Sequence, residues 1–177
     1  LHEEWEQCII HRDIKLNNVL LDSKFNVYLG DFGMAWMLEH NKKAHTTFVV
    51  GTMGYLTPEL SHTRKANTKI NIFSFGVLML EVTCGRRPFN PTFPEEEVYL
   101  LDWVWFLHQS SSLPLCVDPR LVETYDLMQS KLVLQLGLLC SHPNLDSRPN
   151  MQFVRQMLFG DISLPSFPTS KPEFSYT

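Results

Sequence analysis

The sequence predicts a mainly α fold with one small β-hairpin, and three observations lead there. Over residues 69–84 the apolar side chains Ile70, Ile72, Phe73, Phe75, Val77, Leu78, Leu80 and Val82 surround the helix axis and leave no wet face. A helix that is apolar all round is buried. Three more helical stretches follow, at about residues 97–109, 128–141 and 150–159, separated by loops that carry proline. Val19-Leu20-Leu21 and Val27-Tyr28-Leu29 flank the polar turn Asp22-Ser23-Lys24 and read as a hairpin.

In chain order, residues 1–7 read as the end of a helix, and the hairpin comes next. Residues 34–56 are polar, threonine-rich and without sustained period, the pattern of a mobile segment. Gly85 followed by Pro88 stops the central helix. Trp103, Trp105 and Phe106 are assigned to core or helix packing rather than to a ligand platform. From Asp161 three prolines and several serines give an extended or disordered end. The expected organisation is one domain over residues 1–160 and a flexible tail over 161–177.

Composition narrows the function classes. With 177 residues, 44% hydrophobic and 19% charged, the chain can bury roughly 70% of its unfolded surface, enough for one domain. A net charge of -4 gives no basis for nucleic-acid binding. Cys8, Cys84, Cys116 and Cys140 lie far apart, with no Cys-x-x-Cys and no histidine pair at ligand spacing, so free buried thiols are expected rather than a zinc site. The apolar runs at 73–80 and 132–140 are far short of the ~20 residues that span a bilayer. Neither end carries a signal-peptide pattern, and a first residue of Leu leads us to expect a fragment.

Residues 11–18 read His-Arg-Asp-Ile-Lys-Leu-Asn-Asn, and Asp31-Phe32-Gly33, Gly51-Thr52-Met53-Gly54-Tyr55 and Thr57-Pro58-Glu59 follow in that order. In this register they resemble the catalytic half of a protein kinase. The run Leu1-His2-Glu3-Glu4-Trp5-Glu6-Gln7-Cys8, with Leu56, Trp103-Val104-Trp105 and Asp118-Pro119-Arg120-Leu121, narrows the likeness to plant receptor-like kinases with a legume-type (L-type) lectin domain, over about residues 1–160. The resemblance implies the helical C-terminal lobe of a kinase, with the hairpin beside its catalytic loop. In that family an extracellular lectin domain and one membrane-spanning helix precede an intracellular serine/threonine kinase.

The resemblance also implies roles. Phosphoryl transfer needs positioning and charge neutralisation more than covalent chemistry. Asp13 would accept the substrate hydroxyl proton, and Lys15 would offset charge on the transferring phosphate. Asn18 and Asp31 would supply oxygens to Mg2+ bound with ATP, and Gly33 would let the backbone turn sharply behind Asp31. Lys15 and Thr52 fit the serine/threonine arrangement, with Thr52 in substrate docking. Arg12 would pair with a phosphate on Thr46 or Thr47. His11 is structural, and Glu59 would form a buried bidentate pair with Arg148. The partners implied are a protein substrate and ATP. The expected location is cytoplasmic, on the inner face of the plasma membrane if the chain is part of a receptor.

Several positions depart from the family pattern. Asn71 stands where an aspartate usually accepts backbone N–H groups of the His-Arg-Asp turn, and is expected to aim an amide donor at another donor. Leu16 replaces a usual proline, Trp36 a usual arginine and Thr57 a usual alanine. These 177 residues hold no Gly-rich phosphate loop, no strand lysine and no partner glutamate for it. The chain alone is therefore expected not to phosphorylate at a useful rate, and to expose the apolar face where the missing lobe would sit. Three readings follow: the C-terminal part of an active kinase, a catalytically inactive lobe that binds partners, or a decayed duplicate.

Overall fold

Helix Thr68–Cys84, at the centre of the fold, is buried on nearly every side, as its composition requires. The computed structural model describes residues 7–39, 50–63, 67–121, 126–166 and 168–172. Its strands are β1 (Gln7–Ile10), β2 (Val19–Leu21), β3 (Val27–Leu29) and β4 (Trp36–Glu39). Its helices are α1 (Pro58–Thr63), α2 (Thr68–Cys84), α3 (Leu100–Gln109), α4 (Leu127–Cys140) and α5 (Met151–Phe159). The fold is mainly α, with two small antiparallel sheets that pair β1 with β4 and β2 with β3.

Local chemistry sets the helix ends. Asn67 caps α2 by accepting from Lys69 N at 2.9 Å, Asp126 caps α4 through Met128 N and Gln129 N, and Asn150 caps α5 through Phe153 N. Gly85 ends α2 in the left-handed conformation, at φ 62°. Helices α2 and α4 then meet almost backbone to backbone. A Cβ on Gly76 would lie 2.7 Å from Gly137 O and 2.9 Å from Ser141 N. The main core gathers Leu80, Leu100, Val104, Trp105, Leu134 and Leu138 from α2, α3 and α4, together with the buried thiols of Cys84 and Cys116.

Four expectations change. Gln7 begins a strand, not the last turn of a helix, and residues 1–6 lie outside the described residues. The segment from residue 34 is not uniformly irregular, because Trp36–Glu39 pairs with β1 in the register Ile10↔Trp36. This pairing joins residues far apart in sequence, so no local period announces it. Helix α3 starts at Leu100 rather than near 97, after a 3-10 turn at Glu95–Glu97 and a bridge between Phe89 and Tyr99. Phe106 is 63% exposed, whereas Trp105 is core and Trp103 stacks 4.0 Å from the Arg86 guanidinium.

The chain after α5 has no helix or strand among its described residues, yet it is packed. Leu164 lies against the Val154 and Met157 cluster, Pro168 O is 3.0 Å from His108 Nε2, and Lys171 pairs with Asp102 at 2.8 Å. The β2–β3 hairpin leaves Phe25 81% and Val27 66% exposed. No helix among the described residues is long and apolar enough to cross a membrane. The Gly76 contact yields a test. Gly76→Ala gains helix propensity of about 1 kcal/mol, but its methyl meets unyielding backbone. The expected net result is a loss of about 1–3 kcal/mol, read as a lower urea midpoint at unchanged slope.

Candidate active site

The loop that follows β1 is fastened to α2 by one side chain. Asn71, 1% exposed in the first turns of α2, accepts from His11 N at 3.1 Å and from Arg12 N at 3.2 Å through Oδ1. Its Nδ2 donates to Ile9 O at 3.4 Å. The expected clash of donors therefore does not occur. Asn71 turns its oxygen to the two N–H groups and its amide to a carbonyl, so a neutral side chain satisfies the turn. His11 is fully buried: Nδ1 accepts from Asp13 N at 3.3 Å, which fixes the proton on Nε2, where it is donated to Gly30 O at 3.0 Å. The imidazole thus ties the loop to the end of β3, a structural task.

Asp13, Lys15 and Thr52 form a closed triangle. Lys15 Nζ lies 2.6 Å from Asp13 Oδ2 and 3.1 Å from Thr52 Oγ1, and Thr52 Oγ1 donates to Asp13 Oδ1 at 2.7 Å. Burial pushes the Asp13 carboxyl up, but the bonds from Lys15 and Thr52 outweigh it and hold the group below the ordinary carboxylate value. Asn18 sends Nδ2 to Asp13 O at 2.9 Å and to Oδ2 at 3.3 Å. That orientation leaves its carbonyl oxygen as the atom it can offer a cation. Gly30 N donates to Asn18 O at 2.8 Å beside the Val19↔Leu29 pair, so Asn18 and Asp31 flank the open end of one hairpin, as the sequence suggests.

The turn at Asp31 differs from expectation in one respect. The left-handed backbone falls on Asp31 itself, at φ 58°, and not on Gly33. A Cβ on Gly33 would lie 3.3 Å from Asp31 Oδ1, a close contact that a small shift of that exposed carboxylate would relieve. Among the described residues four non-glycines have positive φ, and two of them, Arg12 and Asp31, belong to this site. Backbone strain of this kind gathers where geometry is functional. Arg12 donates through Nε to Met34 O at 2.5 Å and lies 5.4 Å over the Trp36 ring. Thr46 and Thr47, its expected phosphate partners, lie outside the described residues.

Residues 51–59 are held from below. Arg148, 1% exposed, makes the expected fork to Glu59, with bonds of 2.7 and 2.8 Å, and also donates to His142 O at 2.7 Å. Two further residues carry the site without having been assigned a role from sequence. Tyr55 O accepts from Ser74 Oγ, and its hydroxyl accepts from Leu16 N at 3.2 Å and donates to Glu81 Oε2. Burial and the Glu81 carboxylate push the phenol far above its ordinary value, and burial raises Glu81. The available signal was Glu81 itself, the one charged residue in the run 70–84.

The donor set suits a hard cation in part. Asn18 and the exposed Asp31 provide two oxygens, and no group of three or more His, Cys, Asp or Glu side chains at metal-binding distance occurs among the described residues. Mg2+ takes few protein ligands and keeps water and phosphate for its other positions, so the two residues fit that ion better than a zinc or calcium cage.

Comparison with known proteins agrees with this geometry. The family model described as protein kinase domain matches residues 1–159. The chain is similar to the L-type lectin-domain containing receptor kinase SIT2 of Oryza sativa subsp. japonica, at 47% identity over 175 residues, covering 99% of this chain and 26% of that protein. It is similar to the putative L-type lectin-domain containing receptor kinase V.2 of Arabidopsis thaliana at 49% identity, covering 93% of this chain and 25% of that one. A third relative, the probable L-type lectin-domain containing receptor kinase S.7 of Arabidopsis thaliana, is 45% identical over 179 residues. The chain spans about a quarter of the length of the curated relatives it matches.

Two outcomes follow. Arg148→Leu leaves the Glu59 carboxylate buried without its fork, and a loss of about 3–5 kcal/mol is expected in urea denaturation. Asp13 has a depressed folded-state value, so its contacts contribute stability that is fully present above the unfolded value of about 3.9 and is lost as pH falls through the lower folded value. The denaturation midpoint should drop on acidification below about pH 4, with a shallower drop in Asp13→Asn.

Proposed function

The chain belongs to the protein kinase family, and from that premise we propose that it is the substrate-docking, proton-accepting half of a serine/threonine kinase of the receptor-like class. It would act in transfer of the γ-phosphoryl group of ATP to a hydroxyl of a protein substrate, once an ATP-clamping lobe stands against it. The observation that carries this reading is the triangle of Asp13, Lys15 and Thr52. It gives a carboxylate kept ionised by its neighbours, a cation against it and a hydroxyl that marks where a substrate hydroxyl is received.

Within this reading Asp13 accepts the proton of the incoming hydroxyl as the oxygen attacks. Lys15 turns its ammonium from Asp13 toward the transferring group, where negative charge is greatest. Asn18 and Asp31 would hold Mg2+, which neutralises the phosphates when bound with ATP. Arg12 and His11 keep Asp13 in place rather than taking part. Lys15 together with Thr52 supports a serine or threonine acceptor by resemblance to the serine/threonine arrangement of the family. We place residues 1–160 in the lobe and 161–177 in the tail that follows it, and a receptor containing it would present this lobe on the cytoplasmic side of the plasma membrane.

A second reading, an inactive lobe that works by binding, is favoured by the exposed hairpin face at Phe25 and Val27 and by Trp36, which engages Arg12. One experiment separates them. The chain is fused behind the ATP-clamping lobe of a related receptor kinase and assayed for Mg2+-dependent autophosphorylation. The kinase reading expects phosphoserine or phosphothreonine at a rate several powers of ten above an Asp13→Asn fusion. A wild-type signal equal to that control overturns the kinase reading.

A further inference from the structure

A polar cleft of about 270 Å³ opens beside Asp13, lined by Lys15, Asn17, Thr52, Tyr55, Glu81 and Arg87. Lys15 and Thr52 also touch Asp13, so the cleft adjoins the catalytic base. Three of its side chains carry charge, and they are differently engaged. Lys15 is paired with Asp13 at 2.6 Å. Glu81 is half-buried and takes the Tyr55 hydroxyl on Oε2, and burial raises its carboxyl above the ordinary value. Arg87 is exposed and makes no hydrogen bond or close ion pair among the described residues, acting on Glu81 only through space.

The two adjacent arginines have divided tasks. Arg86 is built into the fold: its guanidinium lies 4.0 Å from the rings of Phe93 and Trp103 and bonds to Glu97 through Oε2 at 3.2 Å and O at 3.0 Å. On the other side Pro88 is buried, and its carbonyl accepts from Leu100 N at 3.0 Å. Arg87 thus stands between two fixed residues, so its backbone is held while its side chain remains available at the rim of the cleft. A cation presented in this way meets whatever chain lies across Asp13.

We infer that Arg87 selects a protein substrate with an aspartate or glutamate a few residues from the hydroxyl that Asp13 receives. A carboxylate entering the cleft meets a guanidinium whose fork can hold both of its oxygens. A lysine or arginine in the same place meets Arg87 and Lys15 as like charges, while Glu81, the carboxylate that would welcome it, is already engaged by Tyr55. The chain as a whole carries a net charge of -4, which favours basic peptides at long range, so a preference for acid has to come from a local cation. The inference rests on the kinase reading, which supplies the substrate, but its test requires no phosphoryl transfer.

Fluorescein-labelled peptides with one serine among glycines, and with aspartate, asparagine or lysine at each position flanking it in turn, are titrated with the full 177-residue chain by fluorescence anisotropy at low ionic strength. At one position the aspartate peptide should bind about three- to fivefold more tightly than its asparagine counterpart, the effect of an exposed pair, and the lysine peptide most weakly. The preference should fade at about 0.5 M salt. Arg87→Gln, with folding checked by circular dichroism, should erase it, Arg87→Lys should keep part of it, and Arg87→Glu should turn it toward lysine. Equal affinity for aspartate and asparagine peptides at every position, or no measurable binding by any of them, overturns the inference. So does an acidic preference that survives Arg87→Gln. Each of these results leaves the kinase reading to the fusion assay, and an inactive fusion leaves the binding result intact.

Discussion

Helix α2 has to be apolar on all sides to occupy the centre of the fold, and it must also carry the few polar groups from which the site hangs. Burying such groups is unfavourable unless each is hydrogen-bonded, and each one here is used. Asn71 holds the backbone of His11 and Arg12, Ser74 takes the carbonyl of Tyr55, and Glu81 receives the Tyr55 hydroxyl. Arg148 reaches the carbonyl of Lys69 at the helix start and forks onto Glu59. The loop after β1 and residues 51–59 are therefore two attachments to one rod, and their mutual distance is set by the spacing of residues along it.

That rod is itself fixed by α4. Gly76 and Gly137 let the two backbones approach as no larger residue would, and Leu80 fills the space above Gly137. Beyond the helix end, a Cβ on Gly85 would meet Asp118 Oδ2, so the turn after α2 closes against the Asp118-Arg120 unit. Such packing transmits little slack. A triangle of bonds between Asp13, Lys15 and Thr52 can then be kept within hydrogen-bond distance across 39 residues of chain.

Much of this was legible in the residues. The all-round apolar character of α2 announced its burial, the hairpin was visible from two short apolar runs and a polar turn, and the register of His-Arg-Asp, Asp-Phe-Gly and Thr-Pro-Glu brought Asp13, Asn18, Asp31 and Glu59 to the same argument as Arg148. What stayed hidden depends on pairing across distance. Strand β4 exists only because β1 is beside it. The Arg12 contact with Trp36 joins a position read as phosphate-binding to one read as a departure, and only the fold brings them together. Asn71 was misread for a related reason, since whether an amide clashes or pairs depends on which way it is turned, and sequence carries no orientation.

The choice of an amide at position 71 also bears on acidity. A carboxylate in that place would hold two N–H groups by charge, and would let go of one of them on taking up a proton. An amide has no proton to gain in the physiological range, so the grip of Asn71 on His11 and Arg12 is the same in an acidified compartment as at neutrality. This one attachment beneath Asp13 is in that sense deaf to pH, and whatever acid sensitivity the site displays has to arise in its other groups.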